Sequence, residues 1–422
     1  MTKSKDITTC QDDYDPNSLD VIEAQKRINQ MLSAVTESDT VTLREALDRT
    51  LAKDILSSIN VPPYTNSAMD GYAIAGSDLD SESTTPQAFS MVGTAYAGKP
   101  YNGSVKSGEC IRIMTGAPMC DGVDTVVMQE HVSVDGSIIT LSSAQKPGQN
   151  VREKGEDLAI NCPAILAGRR LTASDIGLLA SLGTANVEVT RKVRVAIIST
   201  GDELKNVDES LGEGQIYDSN RYTIYCMLHR LGVEIIDYGI IKDDPSSIRE
   251  AFINAAKTTD VVITSGGVSV GDADFVKQTL EELGTINFWK IAMKPGRPLA
   301  VGQIKDAFFF GLPGNPVSAM VTFYQYIQPA IRKIMGQTII ANPSIQMKCI
   351  STLKKRPGRV EFQRGTIMTN ENGEKVVKST GNQGSHVLSS MSEANCFIVL
   401  PMETGNLEKN SLVEVQPFEG LI

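Results

Sequence analysis

Residues 260–277, DVVITSGGVSVGDADFVK, form the stretch whose residue types are best suited to chemistry. An apolar run over 261–263 predicts a buried strand, and a helical pattern resumes after residue 274. Between them stand three small residues, Ser265, Gly266 and Gly267. Glycine lets the backbone approach a ligand closely, and the N-terminus of the next helix presents free N–H groups. The stretch therefore predicts an anion-binding site at the end of a strand.

Two carboxylates, Asp272 and Asp274, stand in the same turn. Negative side chains beside an anion site would repel the ligand, so a bridging divalent cation such as Mg²⁺ accounts for their presence. The alternative interpretation is that one of them only caps the following helix. This segment alone leaves both interpretations open.

Three further loops, 199–203, 242–245 and 294–298, place an acid or a base next to glycine or proline after a predicted strand. In open α/β sheets, ligands bind at the carboxyl ends of the strands. The chain thus offers carboxylates (Asp70, Asp157, Asp202, Glu203, Asp243, Asp272, Asp274) and cations (Lys290, Lys294, Arg297, Arg364). With a divalent ion, these residue types suit phosphoryl or oxyanion chemistry. Any single member can also be a cap or a surface charge, the interpretation we favour for Asp202 and Asp244.

Missing motifs and scarce residue types disfavour several classes of enzyme. The chain has no GxxxxGK[ST] motif, which disfavours a P-loop kinase or ATPase, and no GxGxxG after the first strand of its α/β half. Its 3 histidines come from distant regions, which disfavours a Ser-His-Asp triad and a three-histidine zinc site. The 7 cysteines form no CxxC pair, so we expect reduced thiols in a cytoplasmic protein.

Length and charge limit the domain count and the partners. A chain of 422 residues is too long for one core, so two to four domains are expected. The net charge of −10, with no long basic tract, disfavours nucleic acid as a partner. No apolar run approaches the roughly 18 residues of a membrane span, and the polar N-terminus does not resemble a signal peptide.

The hydrophobic pattern predicts an α/β plus β fold. A helix is predicted from Ser18, the capping box of Thr42 and Glu45 predicts a second, and residues 159–190 read as helical again. Alternating strands and helices predict a mostly parallel sheet in the next region. We expect four domains: split helical (18–56 and 159–190), inserted β (57–158), α/β (191–341) and C-terminal β-barrel (342–422).

A series of motifs closely resembles the bacterial molybdopterin molybdenumtransferase family, MoeA, which includes the E domains of animal gephyrin and its plant counterpart. In order they are PPYTNSAMDGYA, TGAP, GEDL, STGDEL, YDSN, TSGGVSVGDAD, FWKIAMKPGRPLA, GLPGNPVSA, FQRG and GNQGSH. The resemblance covers nearly the whole chain after about residue 18. SGGVSxG alone also occurs in molybdopterin adenylyltransferases and CinA-like proteins. One departure is KPGRP, where Arg297 replaces the commoner lysine.

The resemblance implies a molybdopterin-binding α/β domain and an elongated homodimer with its active site in a cleft shared by two subunits. It implies that the protein takes adenylylated molybdopterin and molybdate, cleaves the phosphoanhydride, and releases AMP and molybdenum cofactor with the help of Mg²⁺. It further implies interactions with the molybdopterin adenylyltransferase and with apo-molybdoenzymes.

The resemblance also implies roles for individual residues. It assigns metal binding to Asp243, Asp274 and Glu203. It assigns the catalytic set to Asp70, Thr115, Glu203, Asp274, Lys290 and Lys294. It assigns substrate binding to Asp157, Ser265, Gly266, Gly267, Pro295, Arg297, Pro313, Pro316, Arg364 and Ser385. Asp70, Thr115 and Asp157 would come from the other subunit's β domain and complete the cleft.

Two other functions stay open from the sequence. One is adenylyl transfer from ATP onto molybdopterin on the same fold. The other is a scaffolding role, because the gephyrin E domain serves as a dimeric receptor-clustering module. The added domains and the motifs around Asp70 and Arg364 favour insertion of molybdenum over adenylyl transfer, and the intact acid and base set disfavours a purely structural role.

Overall fold

The computed structural model describes residues 17–80, 86–266, 275–338 and 343–418. Contacts divide the chain into two compact units, one of Met1–Asp39 with Thr190–Ile422 and one of Thr40–Val189. Both contain extensive β-structure, and the larger one contains the expected α/β sheet, which confirms the α/β plus β class. The finer division into four domains stays a prediction.

The described residues form eight α-helices and one π-helical segment. The α-helices are α1 (Val21–Met31), α2 (Ala173–Ser181), α3 (Ser219–Leu231), α4 (Pro245–Thr258), α5 (Phe275–Leu283), α6 (Pro316–Thr322), α7 (Gln328–Ile334) and α8 (Leu388–Glu393). The π-helical segment Phe323–Ile327 joins α6 to α7. The three segments together make one continuous helix over 316–334, with a local widening in its middle. None of the described helices is both long enough and apolar enough to cross a bilayer.

Twelve strands lie in the region 38–190 among the described residues. β1 to β12 are Ser38–Thr42, Ile55–Leu56, Asn66–Ser67, Gly71–Ile74, Ala88–Ala95, Glu109–Ile113, Thr125–Met128, Val132–Asp135, Ile138–Leu141, Val151–Arg152, Pro163–Ile165 and Asn186–Thr190. Six of them form a sheet in the order β7-β4-β6-β5-β9-β8. The sequence pattern predicted five of these six strands and missed β4, which it assigned to a polar loop. The first residue of β4, Gly71, has to be a glycine, because a Cβ there would lie 2.0 Å from the carbonyl oxygen of Val127 on β7.

The helix predicted at Thr42 does not form. Thr42 N–H and Oγ1 do donate to Glu45, at 3.1 and 2.8 Å, but the chain turns and then pairs Leu51 with Val189. A cap closes only the first turn, and so short a segment does not propagate a helix without a packed apolar face. Likewise, α2 is the one helix within 159–190, which also contains the strands β11 and β12.

Helix α1 packs in the unit that contains the α/β sheet. Its buried residues Val21, Ala24 and Ile28 join the same apolar cluster as Ile331 of α7. Leu19, just before α1, donates its N–H to the carbonyl of Lys290 at 2.7 Å. The amphipathic pattern identified the helix correctly but carried no information about its packing partner.

Nine strands follow in the region 194–312. β13 to β21 are Arg194–Thr200, Leu204–Lys205, Ile216–Tyr217, Glu234–Ile241, Val261–Ser265, Gly284–Lys290, Met293–Lys294, Pro298–Ile304 and Ala307–Leu312. The main sheet has the order β16-β13-β17-β21-β20-β18. Its first four strands are parallel, whereas β20 runs antiparallel to β21 and β18 antiparallel to β20. The expected mostly parallel sheet is confirmed, and β20 is a strand that the sequence pattern missed.

The main sheet is covered on both faces. Alternate residues of a strand point to opposite faces, so Ile197 and Phe310 belong to one apolar cluster and Ile198 and Phe309 to another. The first cluster contains residues of α3 and α6, and the second contains residues of α4. The loops after β13, β16, β17 and β21 consequently emerge along one uncovered edge.

The C-terminal strands close into a barrel. β22 to β26 are Ile345–Cys349, Val360–Thr369, Lys375–Ser379, Cys396–Leu400 and Leu412–Pro417. They pair in the order β23-β24-β22-β26-β25, and β25 pairs back on β23. The short strand β19 adds to β23 in parallel, with Met293 opposite Val360 and Lys294 opposite Glu361. The barrel thereby fixes the loop that follows β18.

Candidate active site

An acidic cluster lies where β13 and β16 end side by side. Asp202 and Glu203 follow β13, and Asp243 follows β16. The backbone N–H of Asp243 donates to Asp202 Oδ1 at 3.4 Å. Burial raises the pKa of the Asp243 carboxyl, and the charges of Asp202, Glu203 and Asp244 raise this pKa further. Three carboxylates on two adjacent loops form a set whose mutual repulsion a hard divalent ion would relieve.

Asp244, next to this cluster, is a simple helix cap. Its side chain accepts hydrogen bonds from the N–H groups of Ser246 and Ser247 at the start of α4, at 3.1 and 2.9 Å. Hydrogen bonds hold the pKa of Asp244 well below its usual range, and the largest cause is the one donated by the Ser246 hydroxyl. The simpler interpretation is thus right for Asp244, whereas Asp202 faces Asp243 and belongs to the acidic cluster.

The metal set proposed from the resemblance is only partly described by the structure. Glu203 and Asp243 lie on neighbouring loops, but Asp274 and Gly267, like Asp272, fall outside the described residues. Within the described part of the chain, no three acidic, histidine or cysteine side chains already converge in the manner of a metal site. The carboxylates suit Mg²⁺ by residue type, and the described ones do not by themselves form a complete set of ligands.

The raised pKa of Asp243 predicts an unusual effect on stability. In the absence of divalent ions at pH 7, Asp243→Asn should raise the melting temperature by about 1–2 °C, because it removes an unfavourable charge. A raised folded-state pKa penalises the fold only above the ordinary value of about 3.9, so the difference should vanish near pH 3.5. Calorimetry with EDTA at both pH values checks this. A variant less stable than the wild type at pH 7 would show that the cluster is not repulsive.

Small residues occupy the centre of the edge, after β17 and β21. Ser265 is buried, and its hydroxyl accepts a hydrogen bond from the Asn220 side chain at 2.8 Å. The Asn220 amide also donates to the carbonyl of Gly314 at 2.7 Å, and so ties α3 to both loops. Gly266 has a φ of +92°, and a Cβ there would lie 3.0 Å from the carbonyl oxygen of Thr200. Asn220 was not among our site residues, although YDSN was one of the motifs.

The loop after β21 brings the predicted prolines to the same edge. Pro313 directly follows β21 and is buried, and Pro316 is the first residue of α6. The N–H of Val317 donates to the carbonyl of Ser385 at 3.2 Å. Ser385 therefore reaches this edge from the C-terminal barrel, and the structure brings it together with Pro316 as the motifs suggested.

The two lysines lie at the far end of the edge. Lys290 is exposed at the end of β18, and Lys294 follows on β19. Strand β18 is five positions from β16, which is roughly 24 Å at the usual spacing of strands. Between Lys294 and β20, Pro295 is buried and Arg297 is half-buried. Carboxylates and lysines thus share one edge but not one pocket, with the small residues between them.

Arg364 lies in the interior of the structure. Its side chain is 1% exposed. Its Nε donates to Ser390 Oγ at 3.0 Å, and its Nη2 donates to the carbonyls of Asn382 and Gly384 at 3.2 and 3.0 Å. Burial lowers the pKa of Arg364 to about 10. In this geometry the guanidinium holds the loop that carries Ser385, and direct contact with substrate stays a prediction.

Truncation of Arg364 should therefore act on stability. Arg364→Ala leaves two carbonyls without their donor and opens a cavity, so we expect a loss of about 2–4 kcal/mol in the free energy of unfolding. Lys378→Ala, an exposed change on β24 of the same barrel, should stay within about 0.5 kcal/mol. Urea denaturation measures both. Equal stability of the two variants would contradict this role.

A second group of predicted residues lies in the unit Thr40–Val189. Thr115 donates to Asp70 Oδ1 through its N–H at 2.7 Å and its hydroxyl at 2.8 Å. These hydrogen bonds, the backbone one first, lower the pKa of Asp70, and Arg112 lowers it further. Asp157 is exposed, and its N–H donates to the carbonyl of Val61 at 3.1 Å. Asp70 and Thr115 thus lie together, and their role in catalysis stays a prediction.

The fold and this edge define a multi-unit α/β protein with a ligand edge that is acidic at one end and basic at the other. Three family models match consecutive parts of the chain. They are the MoeA N-terminal region (domain I and II) over residues 19–183, the Probable molybdopterin binding domain over 196–333 and the MoeA C-terminal region (domain IV) over 346–418. The chain belongs to the MoeA family.

Individual relatives match over most of their length. A molybdopterin molybdenumtransferase from Haemophilus influenzae is 46% identical over 95% of this chain and 98% of its own. One of the same name from Nostoc is 35% identical over 88% of this chain and 86% of its own. The crystal structure of a molybdopterin biosynthesis moeA protein from Pyrococcus horikoshii has a TM-score of 0.82 at 27% identity, and covers 95% of this chain and 100% of the other.

Proposed function

We propose that this protein is a molybdopterin molybdenumtransferase, which inserts molybdate into adenylylated molybdopterin and releases AMP in the last step of molybdenum cofactor biosynthesis. The observation that carries the proposal is the edge of the main sheet. There, Asp202, Glu203 and Asp243 stand at one end, and Lys290 and Lys294 at the other. The 46% identity to a relative of this name supports the same conclusion.

An elongated edge suits an elongated substrate. Adenylylated molybdopterin joins two heterocyclic ends through a diphosphate, so different parts of it can meet different loops. The backbone turn at Ser265 and Gly266 lets a phosphate group come close to the main chain. Lys290 and Lys294 offer positive charge to an oxyanion such as molybdate. We propose that the substrate lies along this edge, with its adenylylated end near the carboxylates.

Glu203 and Asp243, together with Asp274, would hold a divalent cation, and Mg²⁺ is our proposal. The ion would neutralise phosphate charge when bound. Other residues of the edge position these groups. The Asp202 carboxylate accepts a hydrogen bond from the N–H of Asp243, and the Asn220 amide holds Ser265 next to the Gly314 carbonyl. Burial and the neighbouring negative charges raise the pKa of Asp243, and this supports the cation proposal because a bound cation would offset those charges.

We also propose that the protein works as a homodimer in the cytoplasm. The Asp70 and Asp157 side chains are exposed and belong to the unit Thr40–Val189, so these residues of a second copy, with Thr115, would complete the cleft. The molybdopterin adenylyltransferase would supply the substrate and apo-molybdoenzymes would receive the product. Sedimentation of the purified chain tests the dimer.

The activity itself has a direct test. Purified protein is incubated with adenylylated molybdopterin, with and without molybdate and Mg²⁺, and AMP is measured by chromatography. We expect AMP to appear only when both are present. A parallel reaction with ATP and molybdopterin tests adenylyl transfer, and pyrophosphate release there would favour that alternative.

A further inference from the structure

A buried carboxylate of the C-terminal barrel faces the edge of the main sheet. Glu361 on β23 is 4% exposed, yet it carries a charge that needs a partner. Its Oε1 accepts a hydrogen bond from Lys294 Nζ at 3.1 Å, and its Oε2 accepts one from Gln363 Nε2 at 2.9 Å. Both oxygens therefore accept hydrogen bonds, and Lys294 supplies a compensating charge in addition to that of Arg364.

The backbone enforces the same pairing. β19 joins the barrel through a parallel pairing in which Lys294 lies opposite Glu361. Gln363, two residues farther along β23, also donates to the carbonyl of Lys354 at 3.0 Å, which fixes the amide that holds Glu361. Gln363 thus orients the Glu361 carboxylate, and that carboxylate in turn orients the Lys294 ammonium.

Lys294 nevertheless keeps a surface toward solvent, because its side chain is 48% exposed. An ammonium group has three donors. One of them binds Glu361, so two remain for a ligand on the exposed side. A fixed, partly exposed ammonium is a better oxyanion donor than a freely rotating one, because little freedom is lost when the anion arrives.

We propose that Glu361 is a positioning residue for the transferase reaction, and that it acts by holding the Lys294 ammonium toward the molybdate or phosphate oxyanion. This inference rests on the proposed function. It makes the barrel part of the active site through a buried ion pair, and it explains why a short strand of the α/β region is paired to the barrel at this residue.

A double-mutant cycle tests the proposal. Glu361→Gln keeps the shape and removes the charge, and should lower kcat about 10-fold. Lys294→Met should lower kcat about 100-fold. The double variant should be no slower than Lys294→Met alone, because Glu361 has nothing left to position. A double variant about 1000-fold slower, the product of the single effects, would overturn the proposal.

Two further measurements keep the test decisive. If Glu361→Gln does not fold, Glu361→Asp replaces it in the cycle, since a shorter acid withdraws from Nζ but keeps its charge. Modification of Lys294 by an amine-acylating reagent, read by peptide mapping, should be several-fold faster in either variant, and an unchanged rate would overturn the proposal. This readout needs no turnover. Wild-type protein that releases no AMP would refute the proposed function and leave this readout intact.

The matched control is another carboxylate paired with a lysine. Glu188 accepts from Lys53 Nζ at 2.9 Å in the unit Thr40–Val189, but its side chain is 39% exposed. Exposed pairs contribute little, so Glu188→Gln should leave kcat within about 2-fold. A loss equal to that of Glu361→Gln would show that the effect is not specific to the Lys294 pair.

Discussion

Asp243→Asn is expected to lower the rate of AMP release at least about 100-fold while the protein stays folded. The substitution keeps the size and one acceptor oxygen of the side chain but removes the charge that a divalent ion needs. Burial first, and then the charges of Asp202 and Glu203, raise the pKa of Asp243, and a bound cation would offset those charges. Initial rates at several Mg²⁺ concentrations measure the effect.

The neighbouring residue is the control for this substitution. Asp244→Asn changes the same charge one position along the chain, but Asp244 caps α4 and asparagine caps a helix equally well. We expect its rate to stay within about 3-fold of the wild type. If Asp243→Asn and Asp244→Asn lose activity equally, net charge would explain the loss and the assignment of Asp243 to the cation site would be wrong.

Gly266→Ala is expected to lower both stability and activity. Its φ of +92° is strained for any residue with a Cβ, and the added methyl group would meet the carbonyl oxygen of Thr200 at 3.0 Å. We expect a loss of about 1–3 kcal/mol in the free energy of unfolding. Because Gly266 directly follows β17, a shift of its backbone should also lower kcat about 10-fold. Urea denaturation and steady-state rates measure the two effects.

The control variant Gly232→Ala distinguishes the effect of backbone strain alone from the effect of the location of Gly266 at the end of β17. Gly232 ends α3 with a φ of +76°, but a Cβ there would have open space around it. It should therefore lose about 1 kcal/mol through strain alone and keep its activity within about 2-fold. Equal losses of activity in Gly232→Ala and Gly266→Ala would mean that the turn after β17 has no special place in the site.

Local patterns predicted the elements of the α/β unit well, since strand and helix lengths alternate clearly from β13 to α7. Helix α3, for example, begins and ends where the sequence carries the usual signals, since Asp218 caps it and Gly232 follows Leu231. The same reasoning failed at Thr42, where a complete capping box precedes turns and not a helix. A cap is a local signal, and tertiary pairing of Leu51 with Val189 decided the outcome.

The residue types of the candidate site could be predicted from the sequence, but the distances between these residues could not. Motifs identified Glu203, Asp243, Lys290 and Lys294, but only the strand order shows that the acids and lysines lie at opposite ends of one edge. The sequence also could not reveal the interior position of Arg364 or the pairing of Lys294 with Glu361. Both depend on how the barrel meets the loop after β18, which is a contact between residues far apart in sequence.

The proposed reaction is tested most directly by AMP release from adenylylated molybdopterin by the purified protein, with molybdate and Mg²⁺ added separately and together. We expect release only with both, and its loss in Asp243→Asn but not in Asp244→Asn. Undiminished release in EDTA, or by Asp243→Asn, would contradict a reaction organised by a divalent ion on these carboxylates.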